Sequence, residues 1–497
     1  MYIYCITFSS RTRLYPHFYS FLISAKHIRR VAENKGLKYN TYMNRNSLVP
    51  ELTVSNFGKN MIEPSSARRP NYLKRSRFFA AAAAYAAFAA SICVLCAQTV
   101  FDVTVQPFAD TRFFVDGVQT TPRVLETDNT LAILRFTFAD EPQRLEIRHE
   151  GFRPVVLTHE ELCRKRGVAF LSPEDSDYDV VSVFQTGAKP KSVRFINDTQ
   201  AAVTLLEANG ADIIDTQSGT VRRIRPPADY ARKEGFVESL VLPERNELWL
   251  SQMSASCVHV FDLNTLDYKR SVKLTGEWCK VMAYNSVSGR VYVSNWISRD
   301  ISVINPAAYE EERKIPVAAV PRGMAFSRDG SYLYCAQFED SSGRSRCKLI
   351  KKELSTFKTV SESGTPGAKR HIVTDFRADR LYVSDMLNSC VEVYSLKDDS
   401  LIASIKVFNN PNTVVLSPDR SLLYVSCRGP NNPEKGYLYK GFKMGRLDII
   451  DTRTLEVTES IEAGNQPTGL DVSPDGRTVI LSDFLDNRVR VFRRRGQ

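Results

Sequence analysis

Asn465–Arg493 reads NQPTGLDVSPDGRTVILSDFLDNRVRVFR, and its reading decides the fold. Three short runs of alternating character (PTGLDV, TVILSD and RVRVF) are separated by a Ser-Pro-Asp-Gly turn and a Leu-Asp-Asn turn. Period-2 alternation broken by such turns predicts short antiparallel strands. The pattern recurs upstream. Asn409–Cys427 is NNPNTVVLSPDRSLLYVSC, Gly445–Ile461 is GRLDIIDTRTLEVTESI, and Gly289–Asn305 is GRVYVSNWISRDISVIN. A complete unit has four strands. Strand A follows a proline, strand B ends in YVS or its equivalent, strand C has the form V-x-V-x-D, and strand D follows a Thr-rich turn.

The end of strand B recurs at Thr204, Ser251, Ser294, Ala336, Ser384, Ser426 and Ser482. Seven units of about 40–45 residues predict an all-β, seven-bladed β-propeller over 177–497, because no single blade can bury both of its faces. The last unit stops after strand C. The run DYDVVSVFQTG, Asp177–Gly187, precedes the first unit and has the form of a strand D. It is expected to complete the seventh blade and close the ring.

Further outward, residues 98–165 hold shorter alternating runs with Asp-Gly and Glu-Gly turns, which predict a small Ig-like β-sandwich. Phe78–Ala97 is a 20-residue uncharged stretch behind Lys74, Arg75 and Arg77, the pattern of a signal peptide or an uncleaved membrane anchor. Cys93 and Cys96 offer a lipid anchor in a poor sequence context. Residues 1–77 form a basic leader, and Met61 is a better-placed start for a signal segment.

The chain has 497 residues and a net charge of +11, which by itself suggests a nucleic-acid partner. Residues 1–97 hold 14 basic and three acidic residues, so the remaining 53 basic and 53 acidic residues balance. No nucleic-acid partner is expected.

Two resemblances rest on these residues. Tyr292-Val293-Ser294, Tyr382-Val383-Ser384 and Tyr424-Val425-Ser426, with Ser473-Pro474-Asp475-Gly476 and Ile449-Ile450-Asp451-Thr452, resemble the YVTN family of β-propeller repeats. Val115-Asp116-Gly117, Thr121-Pro122 and Gly151-Phe152 resemble the PEGA-type domain, although the PEGA tetrad is absent. The resemblance implies a periplasmic or outer-surface bacterial envelope protein. Sugar-lactone hydrolases and quinoprotein-like enzymes share the broader fold, and a fold alone does not choose among them.

A propeller binds at its axial funnel. Aligning the B-strand ends places Lys191, Val237, Lys280, Arg322, Arg370, Asn412 and Thr468 near the starts of the A strands, with His371 after Arg370. Four of these seven are basic, which favours an anionic ligand; the alternative is that they fan into solvent. A second rim is expected from Gln252, Asn295, Gln337, Asp385 and Asp483, each followed by a large apolar residue: Met253, Trp296, Phe338, Met386 and Phe484. A long insertion in the sixth unit, Arg428–Gly445, presents Lys435, Tyr437, Tyr439, Lys440, Phe442 and Lys443, suited to covering the funnel or docking a partner.

Seven cysteines follow the leader. Topology offers Cys335 with Cys347, Cys257 with Cys279, and Cys390 with Cys427 as candidate disulfides in an oxidising compartment. No Cys-x-x-Cys pair occurs after the leader, and no metal or cofactor is expected. The expectation is a non-catalytic binding or scaffold protein of the envelope whose partner is a protein, a glycan or a small anion. A lactone hydrolase is the alternative.

Overall fold

The Ser-Pro-Asp-Gly turn shows how local chemistry builds a blade. Ser473 Oγ donates to Asp475 Oδ1 at 2.5 Å and accepts the Thr478 N–H at 2.9 Å, while Gly476 takes φ +76°. Ser417 and Asp419 repeat the arrangement, with Leu422 N–H donating to Ser417 Oγ at 3.0 Å. Each turn thus satisfies its own backbone and aims strand B back along strand A.

These observations come from a computed structural model, which describes residues 99–496 apart from 129, 139–141, 165–166, 232–233 and 339–346. The expected leader, signal segment and lipid-anchor cysteines lie outside the described residues. Among the described residues, no helix is long and apolar enough to cross a membrane.

Seven four-stranded antiparallel sheets form the propeller. Their A strands are Pro190–Phe195, Phe236–Leu242, Cys279–Asn285, Pro321–Phe326, Lys369–Asp375, Pro411–Leu416 and Pro467–Val472. The first and last A strands are neighbours, so the ring is closed. Blade 7 runs Pro467–Val472, Thr478–Asp483, Arg488–Arg494, Tyr178–Gln185. Val489 pairs with Phe184 and Arg493 with Asp179, so the segment before blade 1 supplies the missing outer strand. Its start is held by Tyr178 Oη against Tyr424 Oη at 2.8 Å. Arg153 also holds it, donating to Tyr178 O at 2.7 Å and to Asp179 Oδ1 at 2.8 Å. Between blades the packing is apolar: Tyr382, Val391, Val393, Val414, Leu423 and Val425 join blades 5 and 6.

Two further four-stranded sheets make the sandwich. One is built from Thr99–Gln106, Arg123–Asp128, Leu131–Phe138 and Val168–Phe170, the other from Arg112–Val115, Val118–Thr120, Arg144–Arg148 and Val155–Thr158. Val103, Val105, Phe113, Leu134, Phe136, Leu145, Ile147 and Leu157 fill the space between them.

The sandwich is seated on the propeller. Arg490 is only 2% exposed, donates to Asp483 Oδ2 at 2.6 Å and to Gln106 Oε1 at 2.8 Å, and lies 4.0 Å from the ring centre of Phe170. Leu131, Phe170 and Met444 form an apolar cluster beside it.

The cysteine pairing needs correction. Cys163, Cys257, Cys279, Cys335, Cys347, Cys390 and Cys427 are all free thiols. Register is the reason. Cys335 pairs with Ile350 across the sheet, whereas Cys347 pairs with Gly367 on the opposite side of its own strand. Cys390 lies in blade 5 opposite Asp385 and Cys427 in blade 6 opposite Pro411. Cys279 Sγ approaches the backbone oxygen of Cys257 at 3.4 Å, not its sulfur. Burial pushes the Cys279 and Cys335 thiols up to about 12, which keeps them protonated and inert.

Candidate functional site

Every A strand carries a register shift in its first half, for example between Pro467 and Leu470, Pro411 and Val414, and Lys369 and Ile372. Such a bulge re-aims side chains and frees a backbone N–H. The serine next to last in strand B accepts that N–H: His371 donates to Ser384 Oγ at 3.0 Å, Thr413 to Ser426 Oγ at 3.0 Å, and Val281 to Ser294 Oγ at 3.1 Å. The hydroxyl also reaches the next blade. Ser251 donates to Lys280 O at 2.7 Å, Ser384 to Asn412 O at 2.7 Å, and Ser426 to Thr468 O at 2.8 Å. The recurrent serine of YVS therefore ties neighbouring A strands together at the axis and fixes the residues that face it. Gly323 lets the strands close up, because a Cβ there would stand 2.8 Å from His371 Cα.

An axial cavity lies inside this ring. Its lining includes Lys191, Val237, Lys280, Arg322, Arg370, His371 and Asn412, together with Arg194 and Glu238. About 50 Å³ is open to the centres of water-sized molecules, against ~10–15 Å³ needed for one water. A few waters or one compact anion fit.

The mouth is walled by the residues that follow strand B. Trp296 takes Lys280 Nζ at 3.5 Å and Arg322 Cζ at 4.0 Å from its ring centre. Phe338 takes Arg322 at 4.8 Å and Arg370 at 5.8 Å, and Phe484 takes Lys191 at 4.6 Å. Arg428 occupies the same register position in blade 6, donating its N–H to Asn410 O as Trp296 does to Trp278 O. It is buried, and its Nε and Nη2 have no hydrogen-bond partner among the described residues. Sequence reasoning missed Arg428 because it opens the insertion; aligning it with Trp296, Phe338 and Phe484 exposes it.

Aromatic faces soften the burial of these cations without neutralising them. Burial first, then Arg322, Lys191 and Arg370, hold Lys280 well below the usual lysine range. Burial, Arg370, Arg428 and Arg322 do the same to Lys191. Burial brings Arg370 down to about 10, and burial with Arg370 brings Arg428 down to about 9. His371 is pushed to about 3 by burial and Arg194, so it is neutral at pH 7. Glu238 is the carboxylate in the described lining, and burial raises it. Gathering like charges in one buried cavity is costly, and such a cluster is a candidate binding site.

Gln252, Asn295, Gln337, Asp385 and Asp483 are placed elsewhere. All five are buried inside their blades. Asn295 Nδ2 donates to Asp300 Oδ1 at 2.7 Å, Gln252 Oε1 meets His259 Nε2 at 2.9 Å, and Asp385 takes Lys369 Nζ at 2.6 Å. Alternation explains this: the last residue of strand B faces strand C, and the next one faces the funnel. Asp385, Cys390 and Glu392 come close enough to resemble a metal set. The Lys369 ammonium already sits among them, 2.6 Å from Asp385 and 2.7 Å from Glu392. The donor set does not fit a metal ion.

The insertion lies between funnel and sandwich. Tyr437 packs under Arg428 at 4.7 Å, Lys440 bridges Asp128 at 2.5 Å and Asp486 at 3.3 Å, and Lys435 lies 5.6 Å from the Tyr439 ring. Tyr437, Tyr439 and Phe442 remain exposed. Lys443 is exposed as well.

No protein-family model matches the chain. Two solved structures share the fold. Hydrazine synthase of Kuenenia stuttgartiensis superposes with a TM-score of 0.51 and 16% identity over 63% of this chain and 98% of its own. A chain of the mitotic checkpoint complex superposes with a TM-score of 0.52 and 12% identity over 65% and 94%. At such identities the likeness speaks of architecture alone. Antigen Lp49 of Leptospira interrogans serogroup Icterohaemorrhagiae serovar copenhageni (strain Fiocruz L1-130) is 47% identical over 386 residues, 75% of this chain and 83% of that protein. By that identity and coverage, the chain belongs to the family of antigen Lp49.

Proposed function

We propose that this protein is a non-catalytic binding protein of the bacterial cell envelope, outside the cytoplasm, that holds an anionic group of its ligand in the axial funnel. The observation that carries the reading is the convergence of Lys191, Lys280, Arg322 and Arg370 on one small cavity with Glu238 as the carboxylate in its described lining, and with Arg428 beside the Phe484 ring at its mouth. Partly desolvated cations bind an anion more strongly than the same groups in water. The name antigen, carried by the relative, supports a surface location, as do the YVTN-like and PEGA-like motifs and the segregated basic and apolar leader. The sandwich then serves as an adaptor fused rigidly to the binding face through Arg490, Gln106 and Phe170.

Isothermal titration with inorganic phosphate, sulfate and acetate tests the reading. Saturable binding that Arg322→Gln and Arg370→Gln each weaken is expected. Absence of binding by all three anions at low ionic strength would overturn it.

A further inference from the structure

The narrow cavity suits a compact anionic head better than a ring. Whatever carries the anion must lie at the mouth. There the chain presents an indole that local structure does not require. Trp278 is 42% exposed, although the other tryptophan outside the funnel, Trp249, is fully buried. Its backbone is left-handed, with φ 60°. The equivalent linker positions in blades 1, 2 and 6 hold Lys189, Gly235 and Asn410, also at positive φ; glycine and asparagine take this conformation at least cost. A tryptophan there neither gains burial nor eases the turn.

The position is nevertheless fixed from both sides. Trp278 N–H donates to Ser256 Oγ at 3.3 Å, and its carbonyl accepts the Trp296 N–H at 3.0 Å. Its ring meets Trp296 edge-on at 6.1 Å, and Lys280 Nζ lies 5.8 Å from its centre. An exposed flat apolar face is thus held beside a buried cation cluster.

One common chemistry matches that pair. A pyranose has an apolar C–H face that stacks on an indole and a polar rim. In a uronic acid the carboxylate is attached directly to the ring. With the carboxylate on Lys280, the cation shown beside Trp278, the ring can lie over the indole. We infer that the funnel ligand is an anionic sugar whose acid group enters the cation ring and whose ring stacks on Trp278. This inference rests on the anion reading of the funnel.

The test measures D-glucuronate, D-glucose 6-phosphate, D-glucose, acetate and inorganic phosphate by titration calorimetry on wild type and Trp278→Gly. Glycine suits the left-handed backbone, so folding is not at risk. Wild type is expected to bind glucuronate or glucose 6-phosphate at least about tenfold more tightly than acetate or phosphate respectively, and to ignore glucose. Whichever acid sugar binds identifies the acid group as carboxylate or phosphate ester. Trp278→Gly is expected to weaken that sugar about fivefold to tenfold and to weaken acetate and phosphate by less than about twofold. Trp278→Phe should restore part of the loss. Acid sugars that bind no better than the bare anions would overturn the inference while leaving the anion reading intact. So would a Trp278→Gly variant that weakens bare anions equally. If no anion binds at all, both fall together.

Discussion

Replacing Lys280 by methionine should make the empty protein more stable and a poorer binder. Lys280 Nζ and Arg322 Cζ lie 3.5 Å and 4.0 Å from the same Trp296 ring centre. The two cations are therefore at most about 8 Å apart, where like unit charges repel by about 2 kcal/mol at an effective dielectric of 20. Methionine keeps the length and the packing on Trp296 while removing the charge. Urea unfolding at pH 7, in a buffer free of multivalent anions, should show Lys280→Met more stable than wild type by about 2 kcal/mol. Phosphate affinity should fall about 10- to 100-fold, the worth of one hydrogen bond to a charged group at about 1.5–3 kcal/mol. Phosphate at a hundred times its wild-type Kd should add about 2.7 kcal/mol to wild type and much less to the variant. The pH dependence has a definite sign. Because the folded-state pKa of Lys280 lies below its ordinary 10.5, the unfolded chain binds more protons in that interval. The contribution of Lys280 to stability should therefore rise with pH towards 10.5, so the stability advantage of Lys280→Met over wild type should shrink across that interval. A variant that is less stable without phosphate, yet binds phosphate as wild type does, would refute the reasoning.

Three other outcomes follow from the buried polar groups. His259 is held down to about 4 by burial, from 6.5, so stability should be lost as pH falls from 6.5 towards 4, by roughly 3 kcal/mol at 1.36 kcal/mol per pH unit; His259→Gln should flatten that part of a urea-midpoint profile. Arg490→Met leaves Asp483 buried without its counter-ion and strips Gln106 Oε1 of its donor; a loss of about 3–5 kcal/mol in urea unfolding is expected, with Asp483→Asn recovering part of it. Iodoacetamide followed by peptide mass mapping should label Cys163 in the native protein and reach the six buried thiols, Cys257 to Cys427, only in denaturant; resistance of a pair to alkylation in denaturant without reductant would restore a disulfide.

The propeller was legible in the sequence because its signals are local and repeated. The Ser-Pro-Asp-Gly turn bonds to itself, and the spare strand at Asp177–Gly187 is visible as an alternating run with no blade of its own. The placement of Lys191, Lys280, Arg322 and Arg370 followed from aligning strand-B ends, since each blade repeats one geometry. What lay out of reach was orientation at single-residue precision. Asn295 and Trp296 are adjacent, yet one bonds inside its blade and the other walls the funnel. No repeat pattern separates them. Cys335 and Cys347 flank one loop, and only the strand register shows them pairing with Ile350 and Gly367 instead. The seat of the sandwich was hidden for another reason. Gln106 and Arg490 are hundreds of residues apart, and neither sits in a recognisable motif.

The shared seventh blade sets a rule for how this molecule can be made. Tyr178 pairs with Arg494, close to the two ends of the propeller segment. No arrangement of blades 1 to 6 completes the ring before the last strands have emerged. Contacts of such sequence separation form slowly, and until Arg488–Arg494 is made the edge of Tyr178–Gln185 remains open to other chains. The sandwich next to the waiting strand has its own core and short-range pairings, so it is suited to fold first. Arg153 would then hold the beginning of that strand in place until its partner arrives. In that order of events the N-terminal module would serve as a clamp on an unfinished ring.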